Sequence, residues 1–284
     1  FRPRQEYHDS IIRWQKEQNG VEGLLPEHIG YSNGVLGGVT SAMNVLCSRG
    51  DNVLVHSPTY VGFTGTLTNN GYHIVHSPLK LDEQGIWRMD FEDMERKVVE
   101  NKLHTAIFCS PHNPCGRVWE RWEIEQAMEL YKKHDVFVIS DEIWSDLILA
   151  GHKHIPTQSV SEDARNRTMA IYAPSKTFNL AGLQTAFVVI PNDDIRAKFE
   201  QGLTANRIFN MNWFGQVALE TAYNRCEDYV EGLCEYVNAN MDYMVEYVRE
   251  NLPQLKLRKS EGTYMVWVDF RGTGMTTEEI EHFI

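Results

Sequence analysis

Along the chain, short apolar runs alternate with longer stretches in which apolar residues recur every three or four positions. The first stretch, residues 3–19, sets Tyr7, Ile11, Ile12 and Trp14 at helical spacing, and Gly20 supplies a stop before the turn-forming run GLLPEHIG. This spacing predicts an amphipathic helix. Six later runs are apolar at most positions: NVLVHSP (52–58), YHIVHSP (72–78), TAIFCSP (105–111), VFVISDE (136–142), MAIYAPS (169–175) and QTAFVVIP (184–191). Their length and lack of alternation predict buried strands. Helical patterns near 37–48, 60–70, 90–100 and 119–134 lie between several of them, which predicts an α/β fold whose mostly parallel sheet is covered by helices on both faces.

Beyond about residue 195 the pattern becomes mostly helical, with one long helix expected from Tyr229 to Asn251 and ended by Pro253. The run LKLRKSEGTYMVWVDF alternates as an antiparallel hairpin would, and TTEEIEHFI begins a capped helix as the sequence ends. The expected division is a large domain, 1–228, and a smaller α+β C-terminal domain, 229–284, that is incomplete here.

Composition narrows the class. With 284 residues, 42% of them hydrophobic, the chain can bury a substantial core. A formal charge of −12 opposes binding to phosphate backbones and to anionic lipid, so neither nucleic acid nor a membrane surface is an expected partner. No apolar stretch approaches bilayer length, and the charged opening FRPRQEYHDS does not resemble a signal peptide. The cysteines, Cys47, Cys109, Cys115, Cys226 and Cys234, are odd in number and form no CxxC pair, as expected in a reducing compartment; the cytoplasm is the expected location.

In open α/β sheets ligands collect beyond the carboxyl ends of strands. Three apolar runs end there in reactive residues: TAIFCS leads to Asn113 in PHNPCGRVW, VFVIS to Asp141 in DEIWSD, and MAIYAPS to Lys176 in SKTFNLAGLQ. An amine, a carboxylate and an amide are what pyridoxal 5'-phosphate needs: a nitrogen to bond its aldehyde, an anion to keep its ring nitrogen protonated, and a donor to its phenolic oxygen. Upstream, YSNGVLGGVTSAMNVL places glycines before a helical pattern, where the backbone N–H groups of Val35 and Leu36 can hold a phosphate. Ser175 is a second phosphate donor candidate, and Tyr60 can lay its ring against the flat cofactor.

NPxG around Asn113, SDE around Asp141 and SKTFNLAG around Lys176 resemble the class I/II aminotransferase superfamily of fold-type-I pyridoxal-phosphate enzymes, and in this order and spacing the likeness covers nearly the whole chain. SPHNPCGRVW, SDEIWSDLIL followed by GHKH, and APSKTFNLAGLQ resemble its MalY/PatB branch, the cystathionine β-lyases or C–S lyases. The resemblance implies a homodimer that takes a small amino-acid substrate and performs β-elimination on L-cystathionine or related cysteine S-conjugates, with Lys176 as general base. It also places the ligand of the substrate carboxylate beyond the ends of this sequence.

Departures from the family pattern bear on the reaction. Gln184 stands eight residues after Lys176, where aminotransferases usually carry a phosphate-pairing arginine, and this favours the lyase branch. Trp144 stands three after Asp141, a cofactor-contacting position often held by tyrosine or histidine, and Ala173 replaces a frequent serine. Two alternatives stay open: an aminotransferase on the same scaffold, and an interaction or regulatory protein that has kept a pyridoxal-phosphate fold. His152 and His154 in GHKH are expected on a solvated loop with no metal bound, and Cys109 and Cys115 to be ordinary packing. Arg207 fits either an approach to the cofactor or dimer seam, or a surface arginine.

Overall fold

The computed structural model describes residues 3–208 and 210–284. In chain order the elements are α1 (Gln5–Asn19), β1 (Ile29–Asn33), α2 (Val35–Leu46), β2 (Asn52–Ser57), α3 (Val61–Asn69), β3 (His73–Pro78), the short pair β4 (Lys80–Leu81) and β5 (Trp87–Arg88), α4 (Phe91–Glu100), β6 (Thr105–Cys109), α5 (Arg121–Lys133) and β7 (Phe137–Asp141). They continue as α6 (Glu162–Arg167), β8 (Thr168–Tyr172), β9 (Thr185–Val189), α7 (Asp193–Ala205), α8 (Trp213–Arg225), α9 (Glu227–Asn251), β10 (Lys256–Leu257), β11 (Val268–Asp269) and α10 (Thr277–Phe283).

Seven strands form the central sheet in the order β1-β9-β8-β7-β6-β2-β3. The contacts from β3 through β8 are parallel, whereas β9 runs antiparallel to both β8 and β1. The apolar runs lack alternation because both faces of the sheet are covered. In β6 and β7, Ile107, Cys109 and Ile139 join the cluster under α2, α3 and α7, while Ala106, Phe108 and Val138 join the cluster under α4 and α5. A third cluster packs Ala170, Tyr172, Phe187 and Val189 against α1 and α8. There Trp14 stacks on Tyr223 with ring centroids 4.7 Å apart, and Gly20 ends α1 in the left-handed region at φ 67°.

Two expectations are corrected, and one strand acquires a direction. Ile29 and Gly30, the end of the turn-forming run GLLPEHIG, instead open the edge strand β1, whose few apolar side chains reflect that position. The run 184–191 is the expected strand, and it is the antiparallel member of the mostly parallel sheet, because the chain turns back after β8 without a crossover helix. The expected hairpin over 255–270 pairs only at its base, Lys256 with Asp269 and Leu257 with Val268; the residues between leave the ladder to dock on the loops after β6 and β7.

Strand register decides which residues share an edge of the sheet. Cys109 lies opposite Asp141, Asp141 opposite Ile171, and Asn33 opposite Thr185, so the ends of β1, β6, β7 and β8 open on one side.

Candidate active site

A cavity of about 190 Å³ opens on that edge. Val35, Leu36, Tyr60, Asn113, Asp141, Trp144, Ser175 and Lys176 all line it, with Gly34, Gly37, Cys109, Ile143, Ala181, Gln184 and Thr185.

Asp141 closes β7. Its carboxyl is 3% exposed and receives the Ile143 N–H at 3.1 Å. Burial pushes its ionisation up to about 7; the Ile143 amide opposes this, the neighbouring Glu142 charge adds to it, and the Lys176 ammonium lowers it. A buried carboxyl with so little compensation takes either a proton or a cationic N–H partner.

Lys176 comes after β8 on a turn held by the Phe178 N–H to the Pro174 carbonyl and the Leu180 N–H to the Ser175 carbonyl, both at 2.9 Å. Its Nζ lies 5.6 Å from the centroid of the Trp144 ring, and Trp144 is in turn met edge-on by Tyr264 at 4.7 Å. The Thr177 hydroxyl donates to Asp146 at 2.9 Å, and Asp146 also accepts the Trp14 indole N–H at 3.0 Å. The turn bearing Lys176 is thereby tied to α1.

Asn113 sits in a loop closed on itself by the His112 N–H to the Arg117 carbonyl and the Gly116 N–H to the His112 carbonyl, both at 2.8 Å. The first turn of α2 faces the cavity and carries no acidic residue, so its N–H groups are oriented for an anion. Gly34 precedes it at φ 73°, and a Cβ there would overlap Gln184 Oε1. Gln184, itself left-handed at φ 49°, accepts the Gly34 N–H on its carbonyl at 2.8 Å and donates its side-chain amide to Ala181 at 2.8 Å. The Tyr60 ring lies back over the start of α3 in space left by Gly62, and meets Phe63 edge-on at 5.4 Å.

The donor set fits the expected cofactor. If pyridoxal phosphate is bound here, Asp141 could pair with its ring nitrogen, Asn113 with its phenolic oxygen, Lys176 with its aldehyde and the α2 N–H groups and Ser175 with its phosphate, with Tyr60 available to stack on the ring. Among the described residues lining the cavity, Lys176 is the sole cation. Among the described residues no cluster of three or more His, Cys, Asp or Glu side chains is placed to hold a metal ion.

His152 is exposed, but His154, expected on a solvated loop, is buried, with its Nε2 2.8 Å from Glu142. Glu142 also receives the Tyr172 hydroxyl at 2.7 Å and the Thr157 N–H at 3.0 Å; burial pushes its ionisation up, but the His154 and Tyr172 contacts and the Thr157 N–H outweigh it and hold the carboxyl below its usual range. Cys109 is a cavity wall as well as packing, and burial beside the Asp141 charge raises its thiol well above the usual range. Arg207 is exposed and outside the cavity. Thr185 lines the cavity without belonging to the expected motifs, and Ile143, within SDEIWSD, lines it without having been assigned a role; the strand register, which sets Thr185 beside Asn33, is the signal that places the first of them.

Fold and site together define an α/β enzyme whose amine and carboxylate line one cavity at the ends of the strands. Residues 4–281 match the family described as "Aminotransferase class I and II", and the chain belongs to it. It is 37% identical over 279 residues to cystathionine beta-lyase PatB of Bacillus subtilis (strain 168), an alignment covering 98% of this chain and 72% of that protein. Among solved structures it resembles cystalysin from Treponema denticola, which contains a pyridoxal 5'-phosphate cofactor, with a TM-score of 0.96 and 31% identity over 100% of this chain and 71% of that one. It also resembles the PLP-bound C–S lyase from Staphylococcus hominis, with a TM-score of 0.88 and 29% identity over 94% and 68% of the two chains.

Proposed function

We propose that the protein is a pyridoxal-phosphate-dependent carbon–sulfur lyase that converts L-cystathionine or related cysteine S-conjugates, with water, to a thiol, pyruvate and ammonia. The observation that carries this reading is the meeting of Lys176, Asp141 and Asn113 in one cavity, at the ends of three different strand-to-loop connections. When bound, the cofactor supplies an electron sink for charge that develops at the substrate Cα.

The protein's own residues do the rest. Asp141 holds the proton at the ring nitrogen, which is the task its scarcely compensated carboxyl suits. Asn113 donates to the phenolic oxygen. The Val35 and Leu36 N–H groups and the Ser175 hydroxyl bind the phosphate, and Tyr60 and Trp144 orient the ring system. Lys176 Nζ takes the Cα proton as general base, and the Trp144 face beside it favours the ammonium that results. Gln184 brings no charge to the phosphate end, where its side chain is engaged with Ala181, and this supports elimination over amino transfer.

The same reading takes the active species to be a cytoplasmic homodimer. Trp213 and Phe214, 46% and 76% exposed, offer an apolar surface at the start of α8, beside the Thr185 wall of the cavity. No helix among the described residues is long and apolar enough to cross a membrane.

The test is pyruvate release from L-cystathionine alongside an amino-transfer assay with 2-oxo acids. Pyruvate without amino transfer supports the lyase; amino transfer alone replaces it with an aminotransferase, and cofactor binding without turnover points to a regulatory or interaction role.

A further inference from the structure

Residues 260–264 form a splint between the loop that carries Asn113 and the loop that carries Trp144. On one side the Gly116 carbonyl accepts both the Glu261 N–H, at 2.8 Å, and the Gly262 N–H, at 3.1 Å. The Glu261 carboxylate receives the Val118 N–H at 3.0 Å and pairs with the buried Arg117 guanidinium. On the other side the Leu149 N–H donates to the Glu261 carbonyl at 2.9 Å, and the Thr263 N–H to the Leu147 carbonyl at 2.7 Å.

The fit is tight. Gly116 adopts φ +66°, and the Ser260 side chain fills the space its Cβ would need; a Cβ on Gly262 would press on Val118 and the Leu147 carbonyl. Ser260, Glu261 and Thr263 are all buried despite being polar, and the next residue, Tyr264, sets its ring against Trp144.

Glu261 does not line the cavity. The loop it grips, however, is closed on itself between His112 and Arg117, so a shift at Gly116 or Arg117 is passed to Asn113. We propose that Glu261 is a positioning residue: through Gly116 and Arg117 it fixes where the Asn113 amide points, and through the splint it sets the separation of the Asn113 and Trp144 walls. What Asn113 contacts rests on the proposed pyridoxal-phosphate function; the mechanical coupling does not. Side chains that hold a site's contacting groups in register act through geometry, and small misplacements are costly to binding and rate.

The structure contains its own control. Arg117 pairs with a second carboxylate, Glu123, which belongs to α5 and whose other polar partners are Arg88 and the Glu120 N–H rather than the splint. Glu261→Gln and Glu123→Gln each remove one negative charge from the same guanidinium.

The experiment compares wild type, E261Q and E123Q in three measurements: affinity for pyridoxal phosphate, the pH midpoint of the bound cofactor's visible absorption band, and hydrogen exchange of residues 112–118 in the cofactor-free protein. E261Q is expected to bind the cofactor about tenfold more weakly, to shift the midpoint and to exchange faster over 112–118. E123Q lowers the melting temperature but keeps the wild-type affinity and midpoint. Wild-type affinity and midpoint in E261Q, or equal changes in E123Q, would overturn the proposal. A wild-type protein that fails to bind the cofactor overturns the functional reading instead; the splint is then judged by exchange alone, and equal exchange in the two variants refutes it. Should E261Q be insoluble, Glu261→Asp, which shortens the reach to the Val118 N–H, carries the same expectation and the same refutation.

Discussion

Replacing Asp141 with asparagine keeps the shape of the side chain and removes its charge. In the protein without cofactor the carboxyl is 3% exposed and receives the Ile143 N–H. Burial raises its ionisation from 3.8 to about 7. Fully expressed, that displacement corresponds to about 4 kcal/mol. The folded protein holds the proton more tightly than the unfolded chain does. Its contribution to stability is therefore complete below the unfolded value and is lost as pH rises through the folded one. Asparagine has no such dependence, so the stability of Asp141→Asn relative to wild type should rise by about 2–3 kcal/mol between pH 5 and pH 8, with the rest of the change below pH 5. Urea unfolding of both cofactor-free proteins across this range measures it. Saturating pyridoxal phosphate should reverse the order at pH 8, because only the carboxylate pairs with a protonated ring nitrogen. A difference that stays flat with pH, or an asparagine variant that grows less stable toward pH 8, would refute the reasoning.

Lys176→Ala is expected to abolish pyruvate release from L-cystathionine and the visible absorption of the bound cofactor while leaving far-ultraviolet circular dichroism unchanged; any retained turnover argues against Lys176 as the base. Gly62→Ala sets a methyl group against the Tyr60 ring and should weaken cofactor affinity by about three- to tenfold, the range a lost ring-stacking contact covers, as read by fluorescence titration. Trp14→Ala removes the stack on Tyr223 and the N–H to Asp146, and should lower stability by about 3–5 kcal/mol in urea unfolding, with cofactor affinity falling as Thr177 loses its anchored partner.

The strands of the sheet interior were legible because burial on both faces leaves a local mark, an unbroken apolar run. β1 leaves none: it lies at the sheet edge and reads as IGYSN. Lys176, Asp141 and Asn113 were legible for a related reason, since each comes after such a run and register alone brings the run ends together. The direction of β9 was not, because nothing in QTAFVVIP records whether the preceding connection crosses the sheet or returns along it.

Residues whose surroundings come from distant parts of the chain stayed hidden. His154 looks like a loop histidine in GHKH, yet the groups that bury it are Glu142, in the loop after β7, and through it Tyr172 from β8. The alternation over 255–270 did not report burial: Tyr264 and Trp267 stand exposed while the polar Ser260, Glu261 and Thr263 are buried. Of these buried polar residues, Glu261 is satisfied by the Val118 N–H and the Arg117 guanidinium of the loop after β6 and Thr263 gives its N–H to Leu147 in the loop after β7, while the Ser260 hydroxyl donates to the Met265 carbonyl and the Thr263 hydroxyl accepts the Met265 N–H. An unbroken apolar run reports burial inside the sheet; only the fold decides which polar residues are buried, and against what. The groups proposed to touch a ligand therefore announce themselves at strand ends, whereas those proposed to hold them in place do so only once strand register and loop docking are known.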